Sequence, residues 1–475
     1  MNSKKSLVKF FISFGRFIKS ETVRSKIRKR SNDFTRKLKF PWYDVLYYLI
    51  FRNEKNTPAE LTKYYSSIGK SDLRISRQAA FKAFKKVNPN VFYCLIEQFS
   101  KLFYKTDLVK KHKGYLLIAA DGTTNNLVAT EESLDQYGFI QNQYILSKED
   151  AIKATCRSMA LYDVTNGLIV DFSMNPFKRS EIPLVIEQLD KCHSLFRNQK
   201  SIFLADRYFG SVELFSILEH YGMNYCIRGK TNFFKKQIAE MKSNDEWISV
   251  TLNKAWQKRL KHPIAKDRFE KDSELKIRVV KFKHTYMDKE GHLVTTQLIY
   301  FTNLSQDEFD TNEIISLYSK RWDIECSYKT LKTDYEWERY FSKDSDTETC
   351  AILAKVIFHN INGIIRKELN EELETLKNKD NKYGCVINIV QLSQLLRHNL
   401  LHRYMRNGNR NSVENILQLT YDLIHKIKVP VRPDRHNKRW GRHATSSNPT
   451  RFRIDGRNWP NTVYANGHMH TVAPQ

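Results

Sequence analysis

The sequence predicts an α/β protein in which helices cover the faces of a β-sheet. Short apolar runs typical of buried strands, at 115–122 and 201–206, alternate with segments of helical periodicity. Between these runs, residues 156–174 have the pattern of two strands joined at Asn166-Gly167, a dipeptide favoured in tight hairpin turns. An opening hairpin followed by alternating strands and helices is typical of a sheet with helices packed against it.

Changes in periodicity divide the chain, which at 475 residues is long enough for several structural units. The predicted units are a helical DNA-binding region at 1–105, the first part of an α/β catalytic core at 106–230, a β-rich insertion at 231–305, the second part of the core at 306–375, and a C-terminal helical region with a basic tail at 376–475.

The charge balance favours a polyanionic partner. Lysine and arginine total 79 against 52 acidic residues, which gives a net charge of +27. The seven cysteines form no C-x-x-C pair, and no apolar run reaches the roughly 18 residues of a membrane span. We therefore expect a cytoplasmic protein, associated with the nucleoid in a prokaryotic host, with no membrane partner. Contact of the basic, amphipathic first 20 residues with a membrane surface is the alternative.

Three segments have the composition of DNA-binding surfaces. The stretch "SRQAAFKAFKKV", which begins at Ser76, predicts a helix with one buried face and Arg77, Lys82 and Lys85 on a DNA-facing side. An ordinary solvated basic helix explains the same pattern equally well. The lysines and arginines of the insertion predict another basic surface, and the arginine-rich end of the chain suits a phosphate backbone.

Two aspartates end apolar runs, Asp121 in "LLIAAD" and Asp206 in "SIFLAD". The carboxyl ends of parallel strands meet at one edge of an α/β sheet, so these acids are expected to lie together despite their separation in the chain. For Asp121 alone, simple turn chemistry is an equally good interpretation, because Asp-Gly is a common turn dipeptide.

The stretch "YSKRWDIECSYKTLK" at 318–332 carries four polar groups on one predicted helix face. Tyr318, Arg321, Glu325 and Lys332 fall within about 60° of one another around an α-helix. A salt-bridged surface helix explains Glu325 beside Arg321, but not the extent of the polar face. A phosphodiester site explains it better, because carboxylates bind Mg²⁺ and cations bind phosphates. Three neighbouring carboxylates also need a cation to stay ionised together.

These residues give the chain its resemblance to the DDE transposases of the insertion-sequence-four type. That family carries a Tyr-x2-Arg-x3-Glu-x6-Lys signature, which stands here as the four residues of 318–332. The signature is preceded by "DGTT" at 121–124 and "DRYFG" at 206–210. The resemblance covers roughly 75–370.

The resemblance implies a ribonuclease-H-like catalytic core interrupted by the β-rich insertion. It implies two Mg²⁺ ions, or Mn²⁺ in their place, held by Asp121, Asp206 and Glu325. The side chains it implies for phosphate binding on the same helix are Tyr318, Arg321, Lys332 and the additional Lys329.

The activity implied is that of a transposase, which cuts at the ends of its element and transfers the 3′ ends to target DNA. The implied partners are double-stranded DNA, as terminal inverted repeats and target, and a second copy of the chain when two ends are paired. Two alternatives are a catalytically inactive DNA-binding regulator derived from a transposase, and a structure-selective nuclease on the same fold.

The chain departs from the family pattern at two places. Tyr208 replaces the usual glycine after the Asp-Arg pair, which predicts a changed turn beside the metal site. The base-stacking tryptophan of studied relatives is also missing near Leu298, and the aromatic residues that could replace it are Trp256, Tyr300 and Trp322.

Overall fold

The structure is a computed structural model, and it describes residues 2–36, 39–52, 56–230, 232–288, 291–339, 341–376, 383–398, 401–432, 462–465 and 468–471. Most of the arginine-rich tail, which sequence analysis assigned to DNA binding, lies outside these residues.

Eight strands form one mixed sheet in the order β3-β2-β1-β4-β5-β8-β7-β6, and two small antiparallel pairs, β9 with β10 and β11 with β12, lie outside it. The strands are β1 (Leu116–Val128), β2 (Lys153–Asp163), β3 (Leu168–Pro176), β4 (Ser201–Ala205), β5 (Asn224–Arg228), β6 (Asp245–Thr251), β7 (Glu274–Met287), β8 (Leu293–Thr302), β9 (Cys385–Ile387), β10 (Lys428–Pro430), β11 (Thr462–Ala465) and β12 (His468–Thr471).

The first five strands have the ribonuclease-H-like arrangement. β1, β2 and β3 are antiparallel neighbours, while β4 pairs parallel to β1 and β5 parallel to β4. The predicted hairpin is confirmed: β2 and β3 are joined through Asn166 and Gly167, and Gly167 has a φ of 70°, a conformation that glycine adopts without steric cost. The mixed α/β class predicted from the strand and helix patterns is therefore the observed one.

The strands predicted for the insertion form as β6, β7 and β8, but they do not build a separate sheet. β8 pairs antiparallel with β5 through Cys226↔Thr302 and its neighbours, so the insertion extends the core sheet by three strands. Hydrophobic periodicity identifies strands, but it carries no information about which strand of the core they join.

Helices lie on both sides of this sheet, and the described residues include nineteen α-helices and one π-helical turn, Thr330–Asp334. The helices are α1 (Asn2–Ile18), α2 (Glu21–Lys26), α3 (Trp42–Phe51), α4 (Thr57–Ser67), α5 (Arg77–Phe84), α6 (Asn90–Phe103), α7 (Glu131–Tyr137), α8 (Glu181–Phe196), α9 (Val212–His220), α10 (Lys235–Glu240), α11 (Lys254–Gln257), α12 (Pro263–Lys271), α13 (Thr311–Ser319), α14 (Trp322–Lys329), α15 (Ser345–Thr375), α16 (Ile389–His398), α17 (Leu401–Asn407), α18 (Arg410–Asp422) and α19 (Ile424–Ile427).

The apolar face of α1 is buried against the rest of the protein. Phe10 and Phe14 each meet the ring of Phe99 in α6 edge-on, with ring centres 4.9 and 5.0 Å apart. α1 also contacts α17 and α18, so the N-terminal helix packs against the C-terminal helical region. Within the part of the chain that the structure describes, no helix has the length and apolar character of a membrane span.

Helix α15 closes the outer edge of the sheet beside β3. The Asn360 side chain accepts a hydrogen bond from Ile169 N (2.7 Å) and donates one to Ile169 O (2.8 Å), as a neighbouring strand would. The helix reaches this position because Gly363 has no side chain: a Cβ there would lie 2.0 Å from Gly167 O. The hairpin turn and the helix therefore fit together only through two glycines.

A buried arginine joins the insertion to the start of α13. Arg278 of β7 is fully buried and binds Asp245 through two hydrogen bonds of 2.7 Å. Its third nitrogen, Nη1, donates to the carbonyls of Leu304, Ser305 and Phe309. Arg278 is therefore not part of the expected basic surface, because its charge is paired inside the protein.

Candidate active site

Asp121 lies inside β1, and the turn interpretation of this residue is wrong. β1 continues to Val128, and Gly122 pairs with Met159 in the middle of the strand. Parallel pairing with β4 ends at Ala119, so Asp121 lies just beyond that edge. A Cβ at position 122 would lie 2.6 Å from the Glu181 carboxylate and 2.9 Å from Met159 Sδ, so both side chains would have to shift to admit one.

Asp206 directly follows β4, the strand parallel to β1, at the same edge of the sheet. Its Oδ1 accepts a hydrogen bond of 2.8 Å from the backbone N–H of Tyr208. The turn after Asp206 is therefore held by the carboxylate itself. Tyr208, the departure from the family pattern, is 43% exposed, and its hydroxyl lies 3.2 Å from Ser180 Oγ.

The single helix predicted over 318–332 is built from three pieces. α13 ends at Ser319, the chain passes through a tight turn at Lys320 and Arg321 with helical backbone angles, and α14 begins at Trp322. A π-helical turn then carries Lys332. Such a turn places one extra residue in its hydrogen-bonded ring and rotates the residues after it, and periodicity in a sequence cannot reveal this.

Glu325 is held by an ion pair within α14. Arg321 Nη2 donates to Glu325 Oε1 over 2.6 Å, and the two side chains are 10% and 33% exposed. The guanidinium also lies 5.6 Å from the ring centre of Tyr318, which in turn contacts the buried ring of Tyr300. Three residues of the predicted signature are thus in contact.

Lys332 reaches back to the first strand. Its Nζ donates to Thr123 Oγ1 and to Thr124 O, both over 2.8 Å. Burial lowers the pKa of this ammonium group. These two bonds attach Lys332 to the strand that carries Asp121. An ammonium group has three N–H donors, so one remains for another acceptor.

Tyr328 is a site residue that sequence reasoning missed. Tyr328 is buried, and its hydroxyl donates to the carbonyl oxygen of Asp121 over 2.7 Å. The helix that carries Glu325 is thereby fixed to the strand that carries Asp121. The available signal was the residue type, because a buried tyrosine hydroxyl requires a partner.

The carboxylates influence one another electrostatically. The pKa of Asp121 rises from 3.8 to about 7, chiefly through burial; Arg321 opposes the rise, while the charges of Glu325 and Asp206 add to it. Asp206 and Glu325 are therefore near enough to Asp121 for their charges to act on it, and Arg321 is the cation that compensates them.

The three carboxylates are suitable ligands for a divalent metal, but the distances between them do not suit one. Three carboxylates are hard oxygen ligands of the kind that Mg²⁺ and Mn²⁺ prefer. Among the described residues, no three His, Cys, Asp or Glu side chains are close enough together to hold an ion. In this structure Glu325 is instead paired with Arg321.

Lys329 and the three basic residues of α5 are solvent-exposed. Arg77, Lys82 and Lys85 lie at the exposed side of α5, and the opposite side packs Phe84 into the core. The Ser76 hydroxyl caps this helix by accepting a hydrogen bond from Ala79 N. Among the three aromatic candidates for base stacking, Trp322 is 59% exposed and Tyr300 is buried. Trp256 is half-buried and packs on Phe233 and Phe234.

A ribonuclease-H-like sheet with acids at the carboxyl edge of its parallel strands is the architecture of enzymes that act on nucleic-acid phosphodiesters. The family model described as "Transposase DDE domain" matches residues 112–361, and the chain belongs to this family of transposases. A search of solved structures finds piggyBac transposase in a synaptic complex with hairpin DNA, at 12% identity and a TM-score of 0.41, covering 86% of this chain and 84% of that one. The comparison with curated proteins gives no match.

Proposed function

We propose that the protein is the transposase of an insertion element of the insertion-sequence-four type, which cleaves phosphodiester bonds at the element ends and transfers the 3′ ends to target DNA. The observation that carries this proposal is that Asp121 and Asp206 lie at the same edge of the parallel strands and that the charges of Asp206 and Glu325 both act on Asp121. Membership in the DDE transposase family supports the same activity.

Asp121, Asp206 and Glu325 are the proposed ligands of two divalent ions. Ions bound there supply Lewis-acid stabilisation of the charge that develops on the phosphodiester oxygens. With an ion bound, Glu325 would be held by the ion and not by Arg321, and the Arg321 guanidinium would then be available to a phosphate of the cleaved strand. Arg321 thus serves in turn as a counter-charge and as a phosphate ligand.

Tyr318, Lys329 and Lys332 are also proposed to bind phosphates of the DNA. Lys332 is fixed to β1 two and three residues beyond Asp121, through Thr123 and Thr124, and its remaining donor is proposed to bind a phosphate. Double-stranded DNA is the proposed partner, and the net charge of +27 supports it. Arg77, Lys82 and Lys85 are proposed to bind the element end, with the chain acting as a dimer when two ends are paired.

The decisive experiment supplies the protein with a DNA carrying both element ends, Mg²⁺ and a supercoiled target plasmid. We expect 3′-end cleavage followed by joined products, and neither in the Glu325→Gln variant. Cleavage without joining would identify a structure-selective nuclease instead. Specific binding without cleavage would identify a DNA-binding regulator.

Tyr328→Phe is expected to slow cleavage about tenfold while costing only about 1 kcal/mol of stability. The variant removes the donor to Asp121 O, which loosens the strand against the helix, and small misplacements of reacting groups reduce rates steeply. Single-turnover cleavage and urea unfolding measure the two effects.

Tyr335→Phe is the matched control for this prediction. Tyr335 is also buried and follows the same helix, but its hydroxyl has no hydrogen-bond partner within the described part of the chain. Its removal should leave the cleavage rate nearly unchanged. Equal rates in the two variants would show that the Tyr328 hydroxyl does not position Asp121.

Affinity for the divalent ion is expected to fall with pH below about 7. The pKa of Asp121 is about 7 without metal, so at lower pH an ion has to displace a proton, and the affinity should drop up to tenfold per pH unit. Above pH 7 the carboxylate is already ionised, and the curve should flatten. Mn²⁺ titration followed by electron paramagnetic resonance between pH 5.5 and 8.5 measures this; a flat profile would contradict the assignment.

A further inference from the structure

The carboxyl edge of the sheet has basic side chains on both sides of Asp206. β4 lies between β1 and β5, and its pairing with β5 ends at Ala205↔Ile227, so Asp206 and Arg228 stand at the same level of neighbouring strands. Lys332 is bonded to β1, on the other side of β4. β1 and β5 are two strand spacings apart, roughly 10 Å. Lys332 and Arg228 therefore flank Asp206 along this edge.

Arg228 projects from the face of the sheet that α13 covers. It pairs with Tyr300 of β8, so the two side chains lie on the same face, and the Tyr300 ring contacts that of Tyr318 in α13. Burial raises the pKa of Tyr318, and the charges of Arg321 and Arg228 oppose the rise. The charge of Asp206 adds to it. Arg228 and the Asp206 carboxylate are thus both near enough to the Tyr318 hydroxyl for their charges to act on it.

The loops after β4 and β5 add two exposed cations. Arg207 is the first residue after Asp206, and Lys230 follows β5; both side chains are exposed. The Lys230 ammonium lies 5.4 Å from the ring centre of Tyr208. Tyr208 is the departure from the family pattern noted above. Its ring connects the two loops, which a glycine at this position could not do.

The positive charge of these three side chains is not neutralised within the part of the chain that the structure describes. There the side chains of Arg207, Arg228 and Lys230 form no hydrogen bond or ion pair. The ring of Tyr208, which the Lys230 ammonium contacts, is uncharged. Guanidinium and ammonium groups without a carboxylate partner favour phosphate groups.

We propose that Arg207, Arg228 and Lys230 form a second phosphate-binding surface, which holds the DNA strand on the side of the cleaved phosphate away from Lys332. We call it the strand-end surface. A DNA strand that crosses this edge of the sheet with its cleaved phosphate at the carboxylates has further phosphates on both sides. Lys332 binds on one side and the strand-end surface on the other. The inference rests on the proposed function, because it assumes that DNA is cleaved at the carboxylates.

Metal-free binding of a short DNA duplex tests the strand-end surface without any cleavage. Each phosphate contact contributes about 0.9 to the slope of log affinity against log salt concentration. The double variant Arg207→Glu, Lys230→Glu is therefore expected to bind at least tenfold more weakly at low salt and to lower the slope by about 2. Fluorescence anisotropy over a range of KCl concentrations measures both effects.

Arg197→Glu is the matched control. Arg197 is also an exposed arginine without a hydrogen bond or ion pair among the described residues, but it lies before β4, at the opposite end of that strand from Arg207. This variant should keep the affinity and the salt dependence of the parent.

Element ends that carry one neutral methylphosphonate at successive positions locate the contacts, again without metal. Binding of the parent should weaken for substitutions on both sides of the cleaved phosphate. The double variant should lose this sensitivity on one side only, and Lys332→Ala on the other. The proposal is overturned if the double variant keeps the parent's salt slope, if Arg197→Glu lowers the slope equally, or if the double variant and Lys332→Ala lose sensitivity on the same side. A parent protein that passes these tests but does not cleave the ends with Mg²⁺ would refute the proposed function and not the surface.

Discussion

Asp121→Asn is expected to abolish strand cleavage, by about a thousandfold or more, and at the same time to make the metal-free protein more stable. The loss of activity is expected because a bound divalent ion contributes several kcal/mol to the reaction and needs this carboxylate. The gain in stability results from the raised pKa of Asp121, since ionising a buried acid beside Glu325 and Asp206 costs free energy in the folded state.

The size of this stability effect depends on pH. The folded state holds the proton of Asp121 up to about pH 7, whereas the unfolded chain releases it near 3.8, so stability falls as pH rises between these values. At pH 8 the amide should therefore stabilise the metal-free protein by up to roughly 4 kcal/mol, and at pH 4 by little. Urea unfolding at the two pH values measures the difference.

Asp323→Asn is the control for both measurements. Asp323 lies on α14 two residues before Glu325 and is exposed, so its neutralisation should alter neither cleavage nor stability by much. An Asp121→Asn protein that cleaved DNA at a near-normal rate with Mg²⁺ would exclude Asp121 as a ligand. One that was less stable than the parent at pH 8 would contradict the electrostatic account.

Arg278→Leu is expected to destabilise the protein by about 3–5 kcal/mol, because it leaves the Asp245 carboxylate and three carbonyl groups without their shared donor. Thr311 Oγ1 also donates to Asp245 over 2.6 Å, so the first turn of α13 should loosen as well. Arg278→Lys should rescue little, because one ammonium cannot replace five directed bonds.

The exposed pair of Lys271 and Asp267, 2.7 Å apart on α12, provides the comparison. Lys271→Ala should change stability by less than about 0.5 kcal/mol. A double variant, Arg278→Leu with Asp245→Leu, should recover part of the loss, because it removes the unpaired charge. If Arg278→Leu unfolded at the same urea concentration as Lys271→Ala, the buried network would not be what fixes α13.

The chemistry of the site could be predicted from the sequence because each acid carries a local signal. Asp121 and Asp206 end apolar runs, and Glu325 stands in a one-sided polar pattern, so the edge of the sheet where they meet can be inferred from general rules of α/β architecture. The pairing of Arg321 with Glu325 was also visible in the spacing of four residues.

Other features depend on contacts between distant segments and leave no local signal. The continuation of β1 beyond Asp121 depends on its pairing with β2, which extends from Asp121↔Ala160 to Val128↔Lys153. Arg278 looks like any basic residue of a surface strand until Asp245 and three carbonyls are brought around it. The π-helical turn that directs Lys332 toward Thr123 reflects tertiary packing that overrides the local helical preference.

The pairing of Asn360 with Ile169 has a consequence for the chain while it is being synthesised. The two residues are 191 positions apart, so at about 5–20 residues per second β3 waits roughly 10–40 s on the ribosome before α15 covers it. α6 is made earlier and contacts β3, with Ser100 donating to Val170 O, but the backbone groups of Ile169 stay open during that interval and can pair with a neighbouring nascent chain. We therefore expect this transposase to need a chaperone most when closely spaced ribosomes translate its transcript or when the chain is cut short before α15.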